Sequence, residues 1–188
     1  MIGSHNSLSY LPIRGWRKIL SPWAKCQSLT LMEQYNRGVR YFDFRVKLIG
    51  ASWHFVHNNT DFGEVNKLLY EVLPVTRKAS VHIRFILDVR KKPIYAEEYK
   101  RSFRRLINAM NCAYDMNIDS AIVYWEWKDY SKREIEQHEF HTSVLSPWYK
   151  YILGTKWFAK KYNQSYIDQY ASQVISDGSV VMLDYVQY

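Results

Sequence analysis

Segments with the two-residue period of a strand alternate with segments of helical period along nearly all of this 188-residue chain, and no other feature limits its fold as strongly. The strand-type segments are VRYFDFRV (39–46), SWHFVH (52–57), SVHIRFILDVR (80–90), SAIVYWEW (120–127) and GSVVMLDYV (178–186). Between them lie helical patterns. TLMEQYNRG carries a capping box from Thr30 to Glu33 and a terminating Gly38. The stretch NNTDFG reads as a loop that caps a helix with Val65, Leu68, Leu69, Val72 and Leu73 facing the core, ended by Pro74. A further helix spans about Tyr95 to Met110, with Tyr99, Phe103, Leu106, Ile107 and Met110 on one face, and the region from Pro147 to about Gln173 is mostly helical. The alternation predicts an α/β protein with parallel strands.

With 47% apolar residues the chain can build a proper core, and no linker, repeat or low-complexity stretch divides it, so residues 1–188 read as a single domain. The net charge of +8 points to an anionic partner: nucleic acid, a phospholipid surface or a small phosphorylated substrate. Aromatic residues make up 16% of the chain and interleave with lysines in SPWYKYILGTKWFAKKY (146–162), a mixture suited to a lipid–water interface or to stacking on single strands. Cys26 and Cys112 form neither a disulfide framework nor a metal-ligand spacing and read as buried free thiols. No leader and no apolar run of membrane-spanning length is visible, so a soluble chain is expected, and the sequons at Asn58 and Asn163 are read as chance.

His5, Asp43 with Arg45, His57, Asp88 and Asp184 each fall at or near the end of a separate strand, and parallel α/β folds gather their sites at that edge. Two imidazoles, a guanidinium and carboxylates are a kit for cleaving a phosphodiester. One imidazole takes a proton from the attacking hydroxyl, the other protonates the leaving oxygen, and the guanidinium binds the phosphate. On residue types alone this is weak evidence, because a strand-end histidine is more often structural than catalytic.

The order of the segments is more specific. GSHNSLSY, then CQSLTLMEQYNRGVRYFDFRV, then FVH, then VVMLDYV resembles the phosphatidylinositol-specific phospholipase C family, the likeness being concentrated in the first 57 residues and the last ten. The resemblance implies a TIM-barrel-like fold with its site at the C-terminal ends of the strands. It implies attack by the inositol 2-hydroxyl on the adjacent phosphorus, giving diacylglycerol and a cyclic inositol phosphate. By position in the motifs His5 is the general base, His57 the general acid, Arg45 the phosphate-binding arginine that replaces calcium in the bacterial members, Asp184 the carboxylate orienting the base, and Asp43 an acid near the arginine.

Asn6 stands where bacterial members have aspartate; asparagine can orient a histidine but cannot relay a proton. In a calcium-dependent variant of the site, Asn6, Asp43 and Asp88 would supply oxygen ligands, but Arg45 opposes a cation there, and no cofactor is expected. At 188 residues the barrel must be compact or incomplete, since a full one takes ~250. Headgroup-binding candidates in the middle strands, by position only, are Asp88, Arg84, Trp125 and Lys128. The expected partner is a phospholipid at a membrane surface, bound peripherally by a monomer, with no nucleic acid. The alternative is a degenerate member that binds anionic lipid or inositol phosphate without cleaving it.

Overall fold

Along YFDFRVKLI, Phe42, Phe44 and Val46 face one way and Tyr41, Asp43 and Arg45 the other, and every one of the six is buried. This strand, β2 (Tyr41–Ile49), therefore has an apolar layer on one side and a polar interior on the other, and the remaining elements are arranged about it. The computed structural model describes residues 1–13, 24–57, 59–78, 80–89, 93–116, 120–125, 139–141, 155–177 and 180–187. In chain order the elements are β1 (Ile2–Ser4), α1 (Leu31–Asn36), β2, β3 (Ser52–His57), β4 (Thr60–Glu64), α2 (Leu69–Thr76), β5 (His82–Asp88), α3 (Ala96–Tyr114), β6 (Ser120–Trp125), β7 (Glu139–His141), α4 (Thr155–Asp177) and β8 (Val180–Leu183).

The strands form one sheet in which β7, β8, β1, β2, β5 and β6 follow one another in parallel, while β3 and β4 add to β2 as an antiparallel meander. Among the described residues no ladder joins β6 to β7. The result is a mixed α/β fold with a curled, half-barrel sheet, in keeping with the incomplete barrel expected from the length.

The expectation of parallel pairing is corrected at the meander. β1 is three residues long and pairs only with Tyr41 and Phe42, so the upper half of β2 is open on that edge, and β3 fills it from Val46↔Phe55 to Ile49↔Ser52. Only Gly50 and Ala51 separate β2 from β3, with Gly50 at φ +62°, and so tight a turn can join only antiparallel strands. NNTDFG is likewise no helix-capping loop: Thr60–Glu64 is β4, paired with β3 and held by Asp61 on His54 Nδ1 at 3.0 Å. Pro74 lies inside α2, which runs two residues past it before ending at Thr76. The capping box on α1 forms as its sequence predicts, with Thr30 accepting from the Glu33 amide and Glu33 accepting from the Thr30 amide.

The outer layer packs α3 on the sheet through Phe103, whose ring lies 4.9 Å from that of Trp53 and 5.1 Å from that of Phe85. Burying each such aromatic contributes roughly 1.5–3 kcal/mol. The floor of the interior is a smaller apolar cluster of Tyr41, Val180 and Met182. Gly3 is required there, since a Cβ would meet Met182 Sδ and, at 2.8 Å, Val180 Cγ1. Gly3→Ala is expected to destabilise the fold by about 1–3 kcal/mol, read as a lower urea midpoint at unchanged slope. An unchanged midpoint would show that the floor has slack.

Candidate active site

Directly above that floor the interior turns polar. The register sets Gly3 beside Tyr41 and Ser4 beside both Phe42 and Leu183, so His5, Asp43 and Asp184 leave three neighbouring strands at one level. The chain after β1 is pinned to β2 by the Ser7 amide on the Asp43 carbonyl (2.8 Å) and the Asp43 amide on Ser7 Oγ (2.9 Å). Asn6 takes the left-handed φ of +45° that this sharp descent needs, a conformation asparagine tolerates.

His5 Nδ1 lies 2.7 Å from Asp184 Oδ1, and its Nε2 lies 2.9 Å from Arg45 Nη2. A carboxylate only accepts and a guanidinium only donates, so the imidazole is neutral, with its proton on Nδ1 and its lone pair on Nε2. That is the tautomer of a general base oriented by an acid. Across from it, His57 sets its ring centroid 6.0 Å from that of His5 at 82°. His57 arrives there because β3 runs back antiparallel from the hairpin tip, and is not at the C-terminal end of a parallel strand as expected. Its Nδ1 donates to the Ala24 carbonyl at 2.6 Å. Burial, reinforced by the charge of Arg45, holds the His57 pKa down to about 3.

Asp43 is engaged with Arg84, whose Nε and Nη2 both lie 3.3 Å from Oδ1, and its Oδ2 accepts the Asn6 amide at 3.3 Å. Arg84 is therefore an anchor beneath the centre, facing a carboxylate, not an open headgroup contact as its position suggested. Asp88 is not brought to the centre. It sits four residues further along β5, ~13 Å from the level of Asp43, with Lys47 Nζ 3.9 Å away. Asn6, Asp43 and Asp88 accordingly do not converge on one cation. Trp125 ends β6, and its side chain lies outside the described residues, as does the whole of Lys128.

Three residues given no role from sequence stand in or against the centre. Cys26 Sγ lies 3.8 Å from His57 Nδ1 and 3.6 Å from Asn6 Nδ2. Gln27, fully buried, donates to the carbonyls of both His5 (3.1 Å) and Leu183 (2.8 Å), tying β1 to β8 beside the His5–Asp184 pair. Asn163 on α4 donates to the Asp184 and Tyr185 carbonyls at 2.8 and 3.2 Å. A buried role for Asn163 agrees with reading its sequon as chance. Cys112, by contrast, is exposed and not the buried thiol expected. No local pattern marks the two amides; only the CQ pair within the motif segment hinted at Cys26 and Gln27.

No protein-family model matches this sequence, and no curated protein matches it. Among solved structures the chain is similar to the phosphatidylinositol-specific phospholipase C from Listeria monocytogenes, at 13% identity and TM-score 0.59 over 98% of this chain and 87% of that one. It is also similar to the S. aureus phosphatidylinositol-specific phospholipase C, at 22% identity and TM-score 0.37 over 53% of this chain and only 36% of the other. The Listeria likeness shows the fold: a phospholipase-C-like half-barrel related to the TIM barrel. Among the described residues no helix is long and apolar enough to cross a membrane.

Proposed function

We propose that this protein is a phosphodiesterase of the phospholipase C type that cleaves a phospholipid headgroup at a membrane surface, with phosphatidylinositol as its first candidate substrate. The observation that carries the reading is the neutral His5 imidazole, oriented by Asp184 and carrying its lone pair beside Arg45, opposite a second histidine. His5 removes the proton of the inositol 2-hydroxyl as it attacks phosphorus, Asp184 steadies the imidazolium that forms, and Arg45 offsets the charge on the phosphate oxygens. His57 delivers the proton to the departing diacylglycerol oxygen. At a pKa near 3 it holds that proton in only about 1 molecule in 10⁴ at neutral pH, so the phosphate's own charge must raise it on binding. His5, Arg45 and His57 are each under one-tenth exposed. Exposed Trp157, Lys156, Lys160 and Lys161 on α4 give the lipid surface an amphipathic, cationic contact. No metal enters this mechanism.

The resting state of His57 favours a second reading. A centre whose acid is unprotonated, with Asn6 in place of a proton-relaying aspartate, suits a protein that binds anionic headgroups without cleaving them. The two readings part on one assay: release of water-soluble inositol phosphate from phosphatidylinositol vesicles, in excess calcium and in excess chelator. Turnover in both is the expected result. Turnover in calcium alone would overturn the arginine mechanism, and vesicle binding without turnover in either would select the binding reading.

A further inference from the structure

Cys26 has no place in that mechanism, yet its thiol lies within the centre. One donor atom from each of His5, Cys26 and Asp184 can be chosen so that all three lie within 4.8 Å of one another, and all three residues are buried. A zinc ion with bonds of about 2.0–2.3 Å spaces its ligands roughly 3.3–3.8 Å apart, so a shift of about 1 Å closes the three around it. Asn6 adds a fourth donor. Its Nδ2 lies 3.4 Å from His5 Nδ1 and 3.6 Å from Cys26 Sγ, while its buried Oδ1 has no hydrogen-bond partner, and a half-turn of the amide exchanges the two. Nitrogen, thiolate sulfur and carboxylate oxygen together suit zinc and its neighbours, not calcium or magnesium. The charges also balance, since a thiolate and a carboxylate offset a divalent ion. The ion takes the place of the Nδ1 proton facing Asp184, so His5 then carries its proton on Nε2 and the Arg45 guanidinium that stands there turns away.

The geometry points to a zinc site formed by His5, Cys26, Asp184 and Asn6, whose occupation shuts the centre down. The ion takes the ring nitrogen and carboxylate that make up the base–acid pair, so it inhibits whatever His5 does. That inhibitory half rests on the phosphodiesterase reading; the binding half does not.

The test uses the full chain, stripped of metal and titrated with cobalt(II) as a spectroscopic stand-in for zinc. One equivalent is expected to bind with a thiolate-to-cobalt charge-transfer absorption that zinc then bleaches. Cys26→Ser should abolish the absorption and weaken zinc binding by at least about tenfold, whereas Cys112→Ser, at the exposed thiol, should keep both. If Cys26→Ser folds poorly, Cys26→Ala with a melting curve serves instead. Zinc should suppress vesicle turnover reversibly by chelator in the unmodified chain, and at higher concentration in the Cys26 variant, each measured against its own zinc-free rate. Cobalt binding without the thiolate band, a band that survives Cys26→Ser, or one lost with Cys112→Ser overturns the site. A clear band in a chain with no lipid turnover would keep the metal site and sink the enzymatic reading; turnover without a band would do the reverse.

Discussion

His5→Ala is expected to lower inositol phosphate release by about 10²–10⁴-fold, the range a positioned proton-transfer group supplies. The loss falls on the polar centre, because His5 follows the last residue of β1 and both its ring nitrogens meet polar groups there. What disappears is the Nε2 lone pair and the acceptor that meets Arg45. Asp184→Asn separates orientation from basicity: it keeps the volume but offers His5 Nδ1 an amide, which can stabilise the wrong tautomer. It should also lower turnover strongly while the melting temperature moves little. His57→Ala should fail in the same assay, though substrates with a more acidic leaving alcohol should recover part of the rate because they need no protonation. Full activity in His5→Ala would remove the assigned mechanism outright.

Asp43→Ala is the second large effect, and it falls on stability. It takes from the Arg84 guanidinium, whose side chain is 3% exposed, the carboxylate it faces, and it removes the acceptor of the Asn6 amide. Breaking one side of a buried pair costs about 3–5 kcal/mol, a large part of the stability of a domain this size. The double replacement Asp43→Leu with Arg84→Met should recover most of that loss, since no buried charge is left over. Urea denaturation of the two single variants and the double gives the coupling directly. A cost under about 1 kcal/mol for Asp43→Ala would mean that Arg84 finds water instead.

The polar centre was legible in the sequence to the extent that strand ends are. Asp43 and Arg45 sit on β2 and Asp184 just past β8, in segments that the two-residue period marks, while His5 follows β1, which at three residues is too short to show a period. Arg84 was legible as a residue but not as a partner: parallel strands β2 and β5 are joined by some thirty residues of intervening chain, and nothing local sets Asp43 against Arg84 in register. The direction of β3 was legible and was read wrongly. Two residues, Gly50 and Ala51, cannot hold a parallel crossover, so LIGASW already specified a hairpin. Thr60–Glu64 failed for a different reason, because Asn, Asp and Gly mark a loop by composition while the β3 edge recruits them as a strand. Gln27 and Asn163 were out of reach, since buried amides that satisfy backbone carbonyls carry no periodic signal.

His5 and Asp184 stand 179 positions apart, and β8 must slide between β1 and β7 before their ring nitrogen and carboxylate can meet. Closing so long a loop is among the costliest steps in assembling this sheet, so it belongs late in folding, after the β2–β4 meander, whose contacts are all local. A chain emerging from the ribosome thus exposes the imidazole 179 residues before the carboxylate that orients it. Until the sheet is complete the histidine is an ordinary side chain, with no carboxylate to hold its tautomer.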